Sequence, residues 1–182
     1  AYDSRNQLLQ IEDTTSGLLT AYAYDANGNR IQRSVGTEIQ SYQFDIRNQI
    51  REIKLGGSSV GQFLYDYQGL RVRKTTPTAT TRTVYDDQSV LLQTDADGNT
   101  LAKYTYDSDH LFSLTHRSQP PQFYLFDALG SVVALAKLDG ALQARYDYDA
   151  WGNPRPNAAG ESANIFGFTG HEKDDESGLY YF

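Results

Sequence analysis

The sequence predicts an all-β fold of consecutive antiparallel β-hairpins, each about 21 residues long, joined into a curved, spiralling sheet. Three observations predict it. First, one position recurs at Asp3, Asp25, Asp45, Asp66, Asp86, Asp107, Asp127 and Asp149, with gaps of 22, 20, 21, 20, 21, 20 and 22 residues. Second, an aromatic precedes each of these: Tyr2, Tyr24, Phe44, Tyr65, Tyr85, Tyr106, Phe126 and Tyr148. Two residues further back most copies carry another, at Tyr22, Tyr42, Phe63, Tyr104, Tyr124 and Tyr146, with Thr83 breaking the pattern. Third, residues suited to turns follow the Asp, as in Asn27-Gly28. A register held over seven intervals marks a repeat architecture.

Side chains at i and i+2 share one face of a strand but not of a helix. Each aromatic pair is therefore read as the end of a strand that stops at the Asp. The Asp caps the turn, because its short carboxylate accepts from backbone N–H groups ahead of it. Asn27-Gly28 tolerates the positive φ of a tight hairpin. The second strands are expected at Ile31 to Val35, Ile50 to Leu55, Leu70 to Lys74, Val90 to Thr94 and Val132 to Leu138. Gly56-Gly57, Asp97-Gly98 and Asp139-Gly140 mark return turns. The apolar run from Ser131 to Ala144 is the best candidate for a helix, but Asp139-Gly140 divides it at hairpin spacing, so it reads as strand, turn, strand. Phe166-Gly167-Phe168-Thr169 continues the series, with Thr169 taken to stand at the Asp position.

Composition agrees. Tyr is high at 14 and Phe adds 8, which suits strands, while 15 Gly suit turns. There is no Cys, so no disulfide or thiol chemistry is expected and the redox compartment stays open. No run approaches the length of a membrane-spanning helix. The net charge of -7 argues against nucleic acid as a partner, since neutralising phosphates needs a basic face. Arg30, Arg33, Arg47, Arg51, Arg71 and Arg73 are scattered through the repeats and read as solvated or cross-strand paired. Met is absent and the chain starts inside a repeat, so it reads as a piece of a longer protein, with targeting information outside it.

Three stretches carry a family resemblance. Tyr24-Asp25-Ala26-Asn27-Gly28-Asn29-Arg30-Ile31 is close to YDxxGNR plus an aliphatic residue. Phe126-Asp127-Ala128-Leu129-Gly130-Ser131 has a DxLGS form. Phe168-Thr169-Gly170-His171-Glu172-Lys173-Asp174, then Ser177-Gly178-Leu179-Tyr180-Tyr181-Phe182, follows FTGxExDxxxGLYYF. Taken in this order, the chain resembles the Rhs family of YD-repeat proteins, which includes Rhs toxin shells, Tc-toxin C-components and teneurin-like repeats. The resemblance implies that the hairpin ribbon winds into a hollow shell. It divides the chain into YD repeats over 1–165 and a truncated opening of the Rhs repeat-associated core over 166–182. The repeat-motif residues Tyr24, Asp25, Gly28, Asn29, Phe44, Asp45, Tyr65, Asp66, Tyr85, Asp86, Tyr106, Asp107, Phe126, Asp127, Gly130, Tyr148, Asp149 and Gly152 are then structural. Gly170, Glu172, Asp174 and Gly178 are the core-motif positions.

A flat ribbon of eight two-stranded units would run about 75 to 80 Å, and would close into a ring only about 25 Å across. Twist prevents a flat ribbon, and the resemblance implies a wider spiral instead.

Candidate sites are weighed against plainer tasks. Asp95-Ala96-Asp97-Gly98-Asn99 opens like a calcium loop, but Tyr106 stands where a bidentate Glu belongs, which favours a hairpin turn. Eight evenly spaced carboxylates argue for turn capping over catalysis. His110, His116 and His171 show no metal-ligand spacing. Trp151 is expected to pack between repeats, with stacking on a sugar as the alternative. In the resembled family the core carries an aspartyl self-cleaving site. Here only its opening is present, and Lys173 stands where Arg is common, so His171 to Glu176 reads as an acidic turn.

The expectation is therefore a non-enzymatic structural segment that needs no cofactor or metal. It would form part of an Rhs-type shell sequestering a C-terminal toxic cargo in a secreted, cell-surface or delivered effector. Its partners would be the flanking repeats and core of the same protein and the cargo. The alternative is an adhesive array that binds carbohydrate or a cell surface.

Overall fold

The computed structural model describes residues 1–108, 110–117, 119–155 and 163–182. The chain divides into two compact units, Ala1–Thr80 and Thr81–Phe182. In both, strands adjacent in sequence pair antiparallel, with no crossover within a unit. Local pairing is what short turns at every strand end dictate.

The first unit holds β1 (Gln10–Glu12), β2 (Leu19–Tyr24), β3 (Arg30–Val35), β4 (Glu38–Phe44), β5 (Ile50–Leu55), β6 (Ser58–Tyr65) and β7 (Arg71–Thr75). Strand β8 (Thr80–Asp86) opens on this unit's last residue and leads the second. There follow β9 (Ser89–Thr94), β10 (Thr100–Asp107), β11 (His110–His116), β12 (Gln122–Phe126), β13 (Val132–Ala136) and β14 (Leu142–Arg145). A separate two-stranded sheet, β15 (Glu172–Asp174) and β16 (Leu179–Tyr181), closes the chain. The stretch 131–144 is strand, turn and strand, as expected. The strand stops at Ala136 rather than Leu138, because Gly140 N–H donates to Lys137 O and starts the turn there.

The two aromatics of a repeat are not equivalent. The first is buried in four copies, where Tyr42, Phe63, Tyr104 and Tyr124 are core residues, and half-buried at Tyr22 and Tyr146. The second sits where the register shifts, at Ala23/Tyr24, Gln43/Phe44, Leu64/Tyr65 and Leu125/Phe126. Each shift is a β-bulge, which sharpens the local twist, and at Leu125/Phe126 the second ring stacks on the first, Phe126 on Tyr124 with centroids 5.9 Å apart. Gly61 accommodates the ring of Phe63, since a Cβ there would lie 2.9 Å from its Cζ. In the second unit the core gathers Val90, Tyr104, Leu114, Tyr124, Val132 and Leu135, with Phe166 from the C-terminal segment.

Two of the six arginines are paired across strands with aromatic rings. Arg71 is 5% exposed, with its guanidinium 5.2 Å from the Phe63 ring centroid. Arg30 lies between two rings, 5.6 Å from that of Tyr22 and 5.0 Å from that of Tyr42. A planar, weakly hydrated guanidinium stacks on aromatic faces at low desolvation cost. The Arg that closes the GNR triplet at Arg30 is thus part of the aromatic packing.

Candidate functional site

The recurring unit is a five-residue loop. At Asp25, the backbone N–H donates to Asn29 O at 2.9 Å and Gly28 N–H donates back to Asp25 O at 3.2 Å. Its Oδ1 accepts from the N–H groups of Asn27 and Asn29 at 2.9 and 2.8 Å. The same carboxylate pattern recurs at Asp3, Asp45, Asp66, Asp127 and Asp149. The fourth position has positive φ in every case, as Asn6, Gly28, Asn48, Gly69, Gly130 and Gly152. Only Gly, or Asn with its short polar side chain, occupies that region routinely.

Asp86 and Asp107 differ. Each is the last residue of its strand and pairs across the tip, Asp86 with Ser89 and Asp107 with His110. The fourth position there is Ser89 or His110 instead of Gly or Asn, so the five-residue loop is replaced by a tighter tip with Asp87 or Ser108 at positive φ. Both still end their strands, as expected, but at a different kind of tip.

Asp95 supplies the same loop. Its Oδ1 accepts from Asp97 N–H and Asn99 N–H, and its Oδ2 from the Asn99 side-chain amide at 2.9 Å. Both oxygens accept from the turn itself, which is the geometry of the hairpin turn the sequence favoured. Lys137 to Ala141 adopts the backbone loop without an Asp at its head. So does Gly167 to His171, where Gly167 N–H donates to His171 O and Gly170 N–H to Gly167 O. The loop head is therefore Gly167, two residues before the Thr169 expected from the sequence, and Phe166 is its leading aromatic.

The carboxyls of Asp25, Asp95 and Asp149 are held below the usual carboxylate range, first by the side-chain amides of Asn29, Asn99 and Asn153. That of Asp45 is held down first by the N–H of Gln49. A carboxylate kept ionised by turn donors is a poor proton donor or acceptor near neutral pH.

Loops bind their neighbours. Asn27 and Asn29 amides both donate to Asn48 Oδ1, at 3.1 and 2.8 Å. Arg47 reaches Asp66 O, and Gln49 reaches Gly69 O. The repeat tyrosine adds a second tie: Tyr24 donates to Leu8 O, Tyr65 to Ile50 O, Tyr106 to Val90 O and Tyr148 to Val132 O. In these copies the Asp holds its loop together and the Tyr ties the strand to the carbonyl 15 or 16 residues earlier.

The core-motif positions lie on a segment that returns to the second unit. Glu172 and Asp174 are 7% and 3% exposed, in β15, paired with Tyr181 and Leu179. Gly170 and Gly178 carry positive φ. Asn164, Ser131 and Phe166 fix this segment; Ser131 and Phe166 stand in motifs read from the sequence, but their contacts and Asn164 itself were not foreseen, since nothing periodic marks a contact 38 or 40 residues away. Among the described residues no group of three His, Cys, Asp or Glu side chains converges to hold a metal. His110 and His116 both belong to β11, and His171 stacks on Phe182 with ring centroids 3.9 Å apart.

Trp151 is 86% exposed in the Asp149 loop, which overturns the expectation that it packs between repeats. It occupies the loop's third position, whose side chain points away from the sheet while its N–H turns in to Asp149 Oδ1. Ile46, Tyr67 and Leu129 are likewise exposed at loop tips.

The family model described as teneurin YD-shell matches residues 1–182. The tRNA3(Ser)-specific nuclease WapA of Bacillus spizizenii is 39% identical over 77 residues, 41% of this chain and 3% of that protein. The tRNA nuclease WapA of Bacillus subtilis is 39% identical over 61 residues, 32% of this chain and 3% of its own length. The crystal structure of TcdB2-TccC3-TEV matches with a TM-score of 0.52 at 15% identity, covering 95% of this chain and 13% of that one. A structure of the Photorhabdus luminescens Tc holotoxin pore matches with a TM-score of 0.51 at 14% identity, covering 97% and 11%. The structural likeness shows a shared fold. The chain spans only 3% of these curated relatives and 11 to 13% of these solved chains.

Proposed function

Because the chain belongs to the teneurin YD-shell family, we propose that it builds part of a β-shell that sequesters a C-terminal toxic cargo, with no turnover of its own. One observation carries this reading. The side chains that repeat through the sequence are used up in joining loop to loop and repeat to repeat, as Tyr24 to Leu8 and Asn27 to Asn48 show. Such a chain makes wall, each repeat burying its neighbour's face. On this reading 1–165 is repeat wall and 166–182 opens the core. The partners are the flanking repeats and core of the same protein and the enclosed cargo. The protein that carries it is a secreted or delivered effector. The nuclease names of the WapA relatives support a toxic cargo, with nuclease chemistry assigned to parts of those proteins beyond the matched stretch.

Limited proteolysis of the whole gene product containing this chain tests the reading. A cargo segment that resists protease while the repeats are folded, and is digested once they are unfolded, supports enclosure. Digestion of that segment at the same rate in both states removes it.

Exposure of Trp151 and Tyr67 on loop tips favours a second reading, a carbohydrate-binding array, because flat aromatic faces in water stack on sugars. Titration of glycans against the fluorescence of this one Trp separates the two. A saturable shift, lost in Trp151→Ala, supports binding.

A further inference from the structure

We propose that residues 164–181 form a conditional latch, which orders only against a second-unit sheet whose β10, β12 and β13 are already paired, and so brings Glu172 and Asp174 into a buried setting only then. The latch stands on contacts inside the second unit and does not depend on what the shell encloses.

The segment has little structure to hold it alone. Its strands β15 and β16 are three residues each and, among the described residues, pair only with each other, with one isolated bridge from Phe166 to Glu172 inside the same segment. An isolated two-stranded hairpin is marginal at best in water. Among the described residues, the contacts that order it are docking contacts.

The docking contacts are spread over strands that are distant in sequence. The Phe166 ring lies edge-on to Tyr104 of β10 at 5.3 Å and to Tyr124 of β12 at 6.3 Å. Asn164 Oδ1 accepts from the Tyr124 hydroxyl at 2.9 Å. Val132 N–H of β13 donates to Gly167 O at 3.0 Å, and Thr169 N–H donates to Ser131 Oγ at 3.1 Å. Farther along, the Tyr180 hydroxyl donates to Gly152 O at 3.0 Å. Tyr104 and Tyr124 stand side by side only after β11 has paired with both their strands. The Phe166 site therefore does not exist in a partly folded sheet.

Seating the latch also buries the side chains of Glu172 and Asp174, at 7% and 3% exposure.

Hydrogen–deuterium exchange on the full chain tests this, with Phe166→Ala and Asn164→Ala beside the parent. The reporter is the Lys173 amide, which donates to Ile165 O at 2.8 Å. The expected result is at least about a hundredfold faster exchange across 172–181 in Phe166→Ala, and a smaller rise in Asn164→Ala, while amides between β10 and β11 change less than about threefold. Unchanged exchange at Lys173 in both variants overturns the proposal. So does loss of protection in β10 and β11 in step with Lys173 in both, since the segment would then be an inseparable part of the sheet.

Discussion

The hydroxyl of Tyr148 donates to the backbone carbonyl of Val132, 3.0 Å away and 16 residues earlier. Tyr24 and Leu8, and Tyr106 and Val90, stand at the same separation of 16 residues, and Tyr65 and Ile50 at 15. In three of these pairs the acceptor belongs to the strand that leaves the preceding turn or to its first flanking residue. The preference for Tyr over Phe before the Asp thus has a physical cause. Phe44 and Phe126 fill the same ring position without that tie.

Replacing this hydroxyl tests its worth. Tyr148→Phe and Tyr65→Phe each leave a partly buried carbonyl short of a donor, and are expected to cost about 1 to 2 kcal/mol in urea unfolding. Tyr67→Phe, at an exposed loop tip, is expected to stay within about 0.5 kcal/mol. Equal effects at all three positions would remove the tie as a stabilising contact.

The two kinds of hairpin tip give a second comparison. Asp25→Ala removes two backbone acceptor bonds and one to the Asn29 amide, and is expected to lower the unfolding midpoint clearly. Asp86→Ala, at the end of β8 on a tip of the other type, is expected to lower it much less. Chemical denaturation of both variants decides. A cost at Asp86 matching that at Asp25 would show that the even spacing, rather than the loop geometry, sets the role of the Asp.

Much of this was legible in the sequence, and the limits have definite causes. The aromatic pair and the Asp gave the strands of most repeats, because the period of two and the turn chemistry agree there. Asp86 and Asp107 kept the spacing but not the loop, and the missing signal was the Gly or Asn three residues on. Asp95 carried that signal off the main register. Trp151 was misread because aromatic residues usually bury, while this one stands at a loop position that faces outward. The docking of Phe166 on Tyr104 and Tyr124 left no trace in any periodicity, since a long-range contact has none. The stacking of Arg30 was hidden because a charged residue in a strand also suits a solvated face.

Glycine replacements separate backbone strain from crowding. Gly98 and Gly152 both have φ above +80° at the fourth loop position. A Cβ on Gly98 meets nothing within 4 Å, so Gly98→Ala is expected to cost about 1 kcal/mol from the left-handed backbone alone. On Gly152 a Cβ would lie 2.8 Å from the Phe168 ring, so Gly152→Ala is expected to cost at least about 2 kcal/mol. Phe168 belongs to the C-terminal segment, so near-ultraviolet circular dichroism of the aromatic bands is expected to change in Gly152→Ala and not in Gly98→Ala. Equal costs and unchanged spectra in both would mean that Phe168 does not rest on Gly152 in solution.

Stability is expected to fall at both ends of the pH scale, for opposite reasons. Asp25, Asp45, Asp95 and Asp149 have carboxyls lowered by turn hydrogen bonds, so the folded chain binds fewer protons than the unfolded one as they titrate. Their contribution is present above the unfolded value of about 3.9 and is lost as pH falls through the lower folded values. At the alkaline end, burial raises the phenols of Tyr104, Tyr124 and Tyr148, and pushes Tyr106 up to about 12. The neutral phenol is the form the fold favours, so their contribution is full below the unfolded value of about 10 and is lost as pH rises toward the folded values. Ultraviolet titration of tyrosinate is expected to show Tyr104, Tyr106, Tyr124 and Tyr148 ionising above the unfolded value, in one late step that coincides with loss of the β-sheet circular dichroism signal. A single smooth titration near the unfolded value, with the sheet still intact, would show that these rings are open to water.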